Sequence, residues 1–273
     1  MSQNKELKVL FIGDIIGRTG RRAVEKILPE LKKEFSPNLI IANGENAAGG
    51  AGITEKICHE LHSIGIDVIT AGNHVWNQKE FLESVDRCEN MVRPANYPPG
   101  VPGNDNIIIN INGVKIGVFT LLCRTFMAMV DCPFRTGKNI ISKLKKQTNI
   151  IIADIHGEAT SEKYALGWYF DGDVSCVLGT HTHVQTADDR ILTKGTGYIS
   201  DVGMVGAYNS IIGVEIEPII DRFLTSIPRK FEYEKKGPVL FNAVMVNIDI
   251  AAGYAKSISR ISRLIDVDEK GIA

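Results

Sequence analysis

The chain has 273 residues, of which 44% are apolar and 23% are charged, and its formal net charge is −1. A chain of this length and composition is globular and can bury a sizeable core. Its net charge gives no overall attraction to nucleic acid or to an anionic membrane, so any phosphate binding must come from a local site.

The N-terminus and the cysteines indicate the cellular compartment of the protein. The stretch MSQNKELKVLFIGD has no long apolar region followed by a small-residue cleavage site, and no apolar run approaches the length of a membrane-spanning helix. We therefore expect a cytoplasmic protein without a membrane span. The five cysteines contain no C-x-x-C, which argues against a disulfide framework and a cysteine-based zinc site and favours buried free thiols.

The first part of the chain repeats a strand, loop and helix pattern. An apolar run at 7–12 precedes a glycine-rich loop and a helical pattern at 21–35. The same order recurs as NLIIAN with ITEKICHELHSI, and as DVITAGNH with QKEFLESVDRC. This alternation predicts right-handed βαβ units whose strands are buried on both faces.

The rest of the chain adds an irregular segment, two further crossover units and a β-rich end. Four prolines mark an irregular stretch over 91–113, and Asn112-Gly113 predicts a hairpin between NIIINI and VKIGVFTLL. Crossover units then end in NIIIADIH and VSCVLGTHTH, and from about residue 190 the pattern is that of strands. With no repeat or flexible linker, residues 1–273 are predicted to form a single α/β domain with two sheets.

Polar side chains follow each of five predicted strands at the point where the strand ends. In a parallel sheet the carboxyl ends of the strands share one edge, where ligands bind. We therefore expect one pocket to contain all of these residues: Asp14, Glu45, Asn46, Asn73, His74, His156, His181 and His183.

This set of side chains is typical of a metal centre. It holds two carboxylates, two carboxamides and four imidazoles without a thiolate, which suits manganese, iron, zinc or nickel. The set exceeds the needs of one tetrahedral ion. Two ions about 3.5 to 4 Å apart, bridged by a carboxylate and a hydroxide, would use it fully.

Other interpretations of individual motifs remain open. Any single strand-end His or Asn is more often a turn cap than a ligand, whereas the convergence of five strand ends favours a site. The glycine spacing of GDIIGRTG does not match a dinucleotide fingerprint. The basic clusters KLKK (143–146) and RKFEYEKK (229–236) are expected to be solvated faces, with a weak role in guiding a polyanion as the alternative.

The motifs together resemble the calcineurin-like metallophosphoesterases. GNH at 72–74, the lone His156 and GTHTH at 179–183 match that pattern, while Ile16, Glu45 and Val75 depart from it. These departures, with the stretches GDIIGRTGR, NGENAAGG, HGEATSEK and SDVGM, resemble the bacterial YmdB-like branch, and the resemblance covers nearly the whole chain.

The resemblance implies a fold and a metal site. The fold is a four-layer αββα sandwich of the metallophosphoesterase type with two mixed sheets, and the cofactor is a pair of iron or manganese ions. One ion is assigned to Asp14, Asn46 and His183, and the other to Asn73, His156 and His181, with Glu45 bridging the two. His74 is assigned to the substrate and not to a metal.

The resemblance also implies an activity. Members of this branch cleave phosphodiesters, including 2′,3′- and 3′,5′-cyclic nucleotides, by attack of a metal-bridging hydroxide, and are linked to RNA turnover. A small cyclic nucleotide is therefore the expected substrate, and a protein partner in RNA turnover and a homo-oligomer are further expectations. The alternative is a regulatory protein that binds metal and nucleotide and turns substrate over only slowly.

Overall fold

The computed structural model describes residues 5–267, in which two mixed sheets face each other. The first sheet contains β1 (Glu6–Ile12), β2 (Asp14–Ile15), β3 (Leu39–Asn43), β4 (Val68–Thr70), β5 (Met91–Val92), β12 (Met204–Ala207), β13 (Val239–Asp249) and β14 (Ala255–Ile265). The second contains β6 (Asn106–Ile111), β7 (Val114–Leu122), β8 (Ile150–His156), β9 (Cys176–Thr180), β10 (Arg190–Ile191) and β11 (Gly197–Ile199).

The order of the strands shows how the two sheets are built. The first sheet runs β2-β12-β13-β1-β3-β4-β5, with β14 paired to β13, and the second runs β10-β11-β9-β8-β7-β6. In the first sheet β1, β3, β4 and β5 are parallel, and in the second β7, β8, β9 and β11 are parallel. The hairpin predicted at Asn112-Gly113 is confirmed as the antiparallel pair β6–β7.

Five α-helices accompany these strands in the part of the chain that the structure describes. They are α1 (Gly17–Phe35), α2 (Glu55–Ile64), α3 (Pro133–Leu144), α4 (Thr160–Phe170) and α5 (Ile216–Thr225). Over residues 5–267, none of the helices is both long and apolar enough to cross a membrane.

Two parts of the sequence prediction are wrong. The helix expected in QKEFLESVDRC is a pair of 3₁₀ helices, because the Ser84 hydroxyl bonds the carbonyls of Glu80 and Phe81 and interrupts the helical ladder. The strand pattern expected after residue 190 is interrupted by α5. Its Pro218 lies in the first turn, where a helix tolerates proline.

Alternating side chains on the strands build the layers. In β1, Leu10 and Ile12 pack with Val24 and Leu28 of α1, whereas Val9 and Phe11 face the second sheet. A third apolar cluster lies between the second sheet and the helices α3 and α4. The predicted α/β sandwich of four layers with two mixed sheets is confirmed.

The carboxyl ends of β1, β3 and β4 meet those of β8 and β9. The five strand ends predicted to converge therefore come from both sheets, and the site lies where the two sheets meet. That residues 1–273 form one domain stays a prediction, since 1–4 and 268–273 lie outside the described residues.

Candidate metal centre

One group of predicted ligands surrounds His156. Its Nε2 atom lies 3.0 Å from Glu45 Oε1, 3.0 Å from Asn73 Oδ1 and 3.0 Å from His181 Nδ1. A single imidazole nitrogen donates or accepts only one ordinary hydrogen bond. Hydrogen bonding therefore cannot account for three polar atoms around this one nitrogen, and the atoms converge as the ligands of a cation do. Glu45, His156 and His181 form a cluster of metal-ligating type.

A second group lies on the other side of Glu45. His183 Nε2 is 3.9 Å from Asp14 Oδ1 and 3.2 Å from Asn46 Nδ2, and that amide nitrogen is 3.3 Å from Glu45 Oε1. Metal binding by Asn46 through its oxygen would require a half-turn of the amide. Glu45 belongs to both groups, in the position predicted for a bridging carboxylate.

The residues present fit a pair of cations. Asp14 Oδ1 is buried and finds no hydrogen-bond partner among residues 5–267, a costly arrangement that a bound cation would relieve. A Cβ atom added to Gly72 would collide with Glu45 and His156, so the glycine keeps open the space between these side chains. The structure thus brings all seven predicted ligands together, and their assignment to particular ions stays a prediction.

Burial and mutual charge set the protonation of this group. Burial opposes ionisation of Glu45, but the charge of His156 and their hydrogen bond hold the Glu45 pKa at about 2. Burial opposes the charge on His156 as well, and Glu45 nevertheless raises the His156 pKa to about 9. Burial and the neighbouring His156 lower the pKa of His181 to about 3, and burial lowers that of His183.

Binding of manganese should therefore release protons. His156, with a pKa of about 9, carries a proton at pH 7 that a metal ion must displace, whereas His181 and His183 are already neutral. We expect at least roughly one proton per chain at pH 7, because burial also raises the pKa of the Asp14 carboxyl, and a manganese affinity that rises by at least about tenfold per pH unit towards pH 9. Calorimetry in buffers of different ionisation enthalpy measures this number, and binding without proton release would contradict the assignment of His156.

The GTHTH loop holds its two histidines in a strained backbone. The backbone angle φ is 100° at His181 and 65° at His183, and residues other than glycine rarely adopt such positive values. The Asp201 carboxylate accepts the Thr182 N–H at 2.9 Å, and the Lys163 ammonium donates to the Thr180 carbonyl at 2.7 Å. Because Lys163 and Asp201 also pair at 2.7 Å, a buried ion pair fixes the loop between the two ligand groups.

Removing one partner of this ion pair should destabilise the protein. In Lys163→Met the Asp201 charge stays buried without its counter-ion, and we expect the free energy of unfolding to fall by about 3–5 kcal/mol. Urea denaturation measures the change. Lys256→Met is the matched control, since its pair with Glu6 is about half exposed, and equal losses in the two variants would show that the buried pair has no special role.

His74 lies beside the ligands and is half-buried. Its backbone N–H donates to Glu45 Oε2 at 2.9 Å, which fixes the residue next to the predicted bridge. The Asn77 side-chain amide donates to His74 Nδ1 at 3.0 Å, so a neutral ring carries its proton on Nε2. Asn77 was not predicted from any motif, although its contact decides which nitrogen of His74 can donate.

Further residues lie behind the ligands, and of these the sequence indicated only Asp154, as an orienting partner of His156 or a structural residue at the strand end. Glu158 Oε2 lies 3.3 Å from His181 Nε2, and Thr180 Oγ1 lies 2.8 Å from His156 Nδ1. Asp154, two residues before His156, accepts the Thr180 hydroxyl at 2.7 Å and so contacts His156 through that threonine. Such partners orient the rings of ligand histidines. The short spacing in HGE was the available signal for Glu158.

A family model described as YmdB-like protein matches residues 10–261. The chain belongs to the YmdB-like family. It is 48% identical over 255 residues to a Bacillus subtilis protein named 2′,3′-cyclic-nucleotide 2′-phosphodiesterase, a match that covers 93% of this chain and 96% of the relative.

Solved structures agree with this membership. The YmdB-like chain superposes on a phosphatase of Mycoplasma pneumoniae with a TM-score of 0.90 and 34% identity, covering 97% of this chain and 95% of that one. A Staphylococcus aureus structure described as a candidate 5′-nucleotidase shares the fold, with a TM-score of 0.64 and 15% identity over 97% of this chain and 56% of that one.

These findings confirm the predicted family and the metallophosphoesterase type of the four-layer fold. They also confirm that the YmdB-like chain is an enzyme, a hydrolase with phosphodiesterase chemistry. The identity of the metals, the cytoplasmic location, the protein partner and the homo-oligomer stay predictions.

Proposed function

We propose that this chain hydrolyses 2′,3′-cyclic nucleotides at a dinuclear metal centre, with 3′,5′-cyclic nucleotides as a second substrate class. The observation that carries the proposal is the pair of ligand groups that share the buried carboxylate of Glu45. The activity for which the Bacillus subtilis relative is named supports the choice of a cyclic phosphodiester.

The proposed centre uses the two groups of side chains separately. Asp14, Asn46 and His183 would hold one ion, and Asn73, His156 and His181 would hold the other. Glu45 would serve both. Iron and manganese both suit this mixture of imidazole and oxygen ligands. When bound, the two ions supply an acidic water and neutralise the phosphate oxygens.

The residues of the chain guide the reaction of a 2′,3′-cyclic substrate. Water adds to phosphorus, the bond from phosphorus to the 2′ oxygen breaks, and a 3′-nucleoside monophosphate leaves. His74 passes its Nε2 proton to the departing 2′ oxygen, since Asn77 occupies Nδ1, and the proton that the attacking water releases replaces it, so that the ring is unchanged after the step. The backbone bond from His74 to Glu45 holds this acid at the edge of the ligand group.

Product analysis tests the proposal. The manganese-loaded protein is incubated with 2′,3′-cyclic AMP and with 3′,5′-cyclic AMP, and phosphorus NMR identifies the products. We expect the 3′-monophosphate from the first, at a turnover number of at least roughly 1 per second. Turnover far below this would favour the regulatory alternative, which needs the same ligand set, and the 2′-monophosphate as product would contradict the position given to His74.

A further inference from the structure

A cavity of about 880 Å³ lies beside the metal centre. Its walls are the start of α1, the loop that follows β3, and the segment 230–237, which we call the strap. The strap is largely exposed and contains most of RKFEYEKK, whose basic residues the reaction at the metal centre does not use. Metal ions between the ligand side chains would need far less space than this cavity offers.

The lining of the cavity is strongly cationic although the whole chain is not. Two acidic residues, Glu232 and Glu234, face six basic ones: Arg18, Arg21, Arg22, Lys230, Lys235 and Lys236. Arg21 pairs with Glu60 and Lys230 with Glu232. Within residues 5–267, the exposed side chains of Arg18, Lys235 and Lys236 have no charged partner. Positive charge is therefore concentrated in the lining of this cavity although the net charge of the chain is −1. A site for a polyanion requires such a concentration.

The cavity adjoins the residues that would act on the substrate. Gly49 lines it and is three residues from Asn46, so their Cα atoms are at most about 11 Å apart. Gln78 also lines it, next to Asn77, which bonds the His74 ring.

The Tyr233 ring of the strap lies against Gly50, where a Cβ atom would collide with it. The N–H of Gly17, which also lines the cavity, donates to the Asn46 carbonyl at 2.9 Å, and this contact places the cavity beside a predicted metal ligand.

The strap also offers aromatic surfaces. Phe231 and Tyr233 alternate with charged residues in the strap and both line the cavity. A groove with basic residues that follow the backbone and aromatic rings on which bases stack is typical of single-stranded nucleic acid binding. A cyclic mononucleotide has one phosphate and could not use so many cations, whereas a chain of nucleotides brings one phosphate with each unit.

We propose that the cavity is a subsite for the nucleotides that precede the cyclic end of an RNA fragment, so that the substrate class is an oligoribonucleotide ending in a 2′,3′-cyclic phosphate. This inference rests on the proposed function, because it places the cyclic phosphate at the metal centre. The preceding phosphates contact Arg18, Lys235 and Lys236, and a base stacks on the strap.

Comparison of two substrates tests the inference. The kcat/KM of the manganese-loaded protein is measured for 2′,3′-cyclic AMP and for a short oligoadenylate with a 2′,3′-cyclic phosphate end. We expect the oligonucleotide to be preferred at least about tenfold at low salt, with a preference that declines as salt rises, by a log–log slope of about −0.7 per phosphate contacted. The ratio of the two values should fall towards unity in Lys235→Gln/Lys236→Gln and in Arg18→Gln.

A matched pair of lysines serves as the control. Lys143→Gln/Lys146→Gln removes the same charge from exposed positions at the end of α3, and should keep the ratio of the parent protein. A ratio near unity in the parent protein, or one that the strap variants leave unchanged, would overturn the inference.

A binding measurement separates this inference from the proposed function. Fluorescence anisotropy reports the Kd of a labelled oligoadenylate with a 3′-phosphate, which cannot be hydrolysed as a cyclic ester. Binding that weakens at least about fivefold in the strap variants, without hydrolysis of either cyclic substrate, would support the subsite and contradict the proposed activity. Hydrolysis of 2′,3′-cyclic AMP with no strap-dependent binding would support the activity and overturn the subsite.

Discussion

Glu45→Gln should lose on the order of a thousandfold or more in kcat/KM for 2′,3′-cyclic AMP, because one side chain serves both ligand groups. The substitution keeps the shape of a fully buried residue and removes the charge that offsets two cations. Metal content should fall from two ions per chain, which elemental analysis of the purified protein measures. Both effects are expected together, since both follow from loss of the bridge.

Glu30→Gln is the control for Glu45→Gln. Glu30 is exposed on α1, so the same change in charge should leave metal content and turnover as they were. Two ions and undiminished turnover in Glu45→Gln would contradict the bridging role. Loss of turnover with both ions still bound would assign Glu45 to the substrate and not to the metals.

His74→Ala should keep both metals and lose about 10²–10⁴-fold in kcat, the usual contribution of a positioned acid. The loss should be smaller for a substrate whose leaving group is acidic, such as a nitrophenyl phosphodiester, because such a group needs no proton. Steady-state kinetics on the two substrates, together with metal analysis, measures both effects. His59→Ala provides the matched control, since His59 is an exposed histidine on α2.

The pattern of losses decides the role of His74. An equal loss on both leaving groups, with metals retained, would replace the acid role by stabilisation of the phosphoryl group. Loss of metal would make His74 a ligand, contrary to the sequence assignment. Asn77→Ala should give a milder form of the His74→Ala defect, because the ring stays but its tautomer is no longer fixed.

The sequence predicts the site better than it predicts the surroundings of the site. Strand ends can be recognised in the sequence because apolar runs stop abruptly at carboxylate, carboxamide and imidazole side chains. A parallel arrangement of the strands brings such ends together. That logic placed Asp14, Glu45 and His156 in one pocket, although it did not show that two sheets contribute the ends. The ligand groups around Glu45 depend on distances that only the fold supplies.

Long-range partners are the part that the sequence could not predict. Lys163 and Asp201 are 38 positions apart and look like ordinary polar residues until the fold buries both. Helix α5 was missed because its isoleucines suit strands as well as helices. The pair of 3₁₀ helices depends on the hydroxyl of Ser84, a contact too local for apolar periodicity to indicate.

Titration of the metal-free enzyme with manganese, while hydrolysis of 2′,3′-cyclic AMP is followed by phosphorus NMR, shows how many ions the reaction requires. The arrangement around Glu45 predicts that turnover is absent in chelator, saturates at two equivalents per chain and yields the 3′-monophosphate. Full turnover in the presence of chelator, or saturation at one equivalent, would contradict a dinuclear phosphodiesterase.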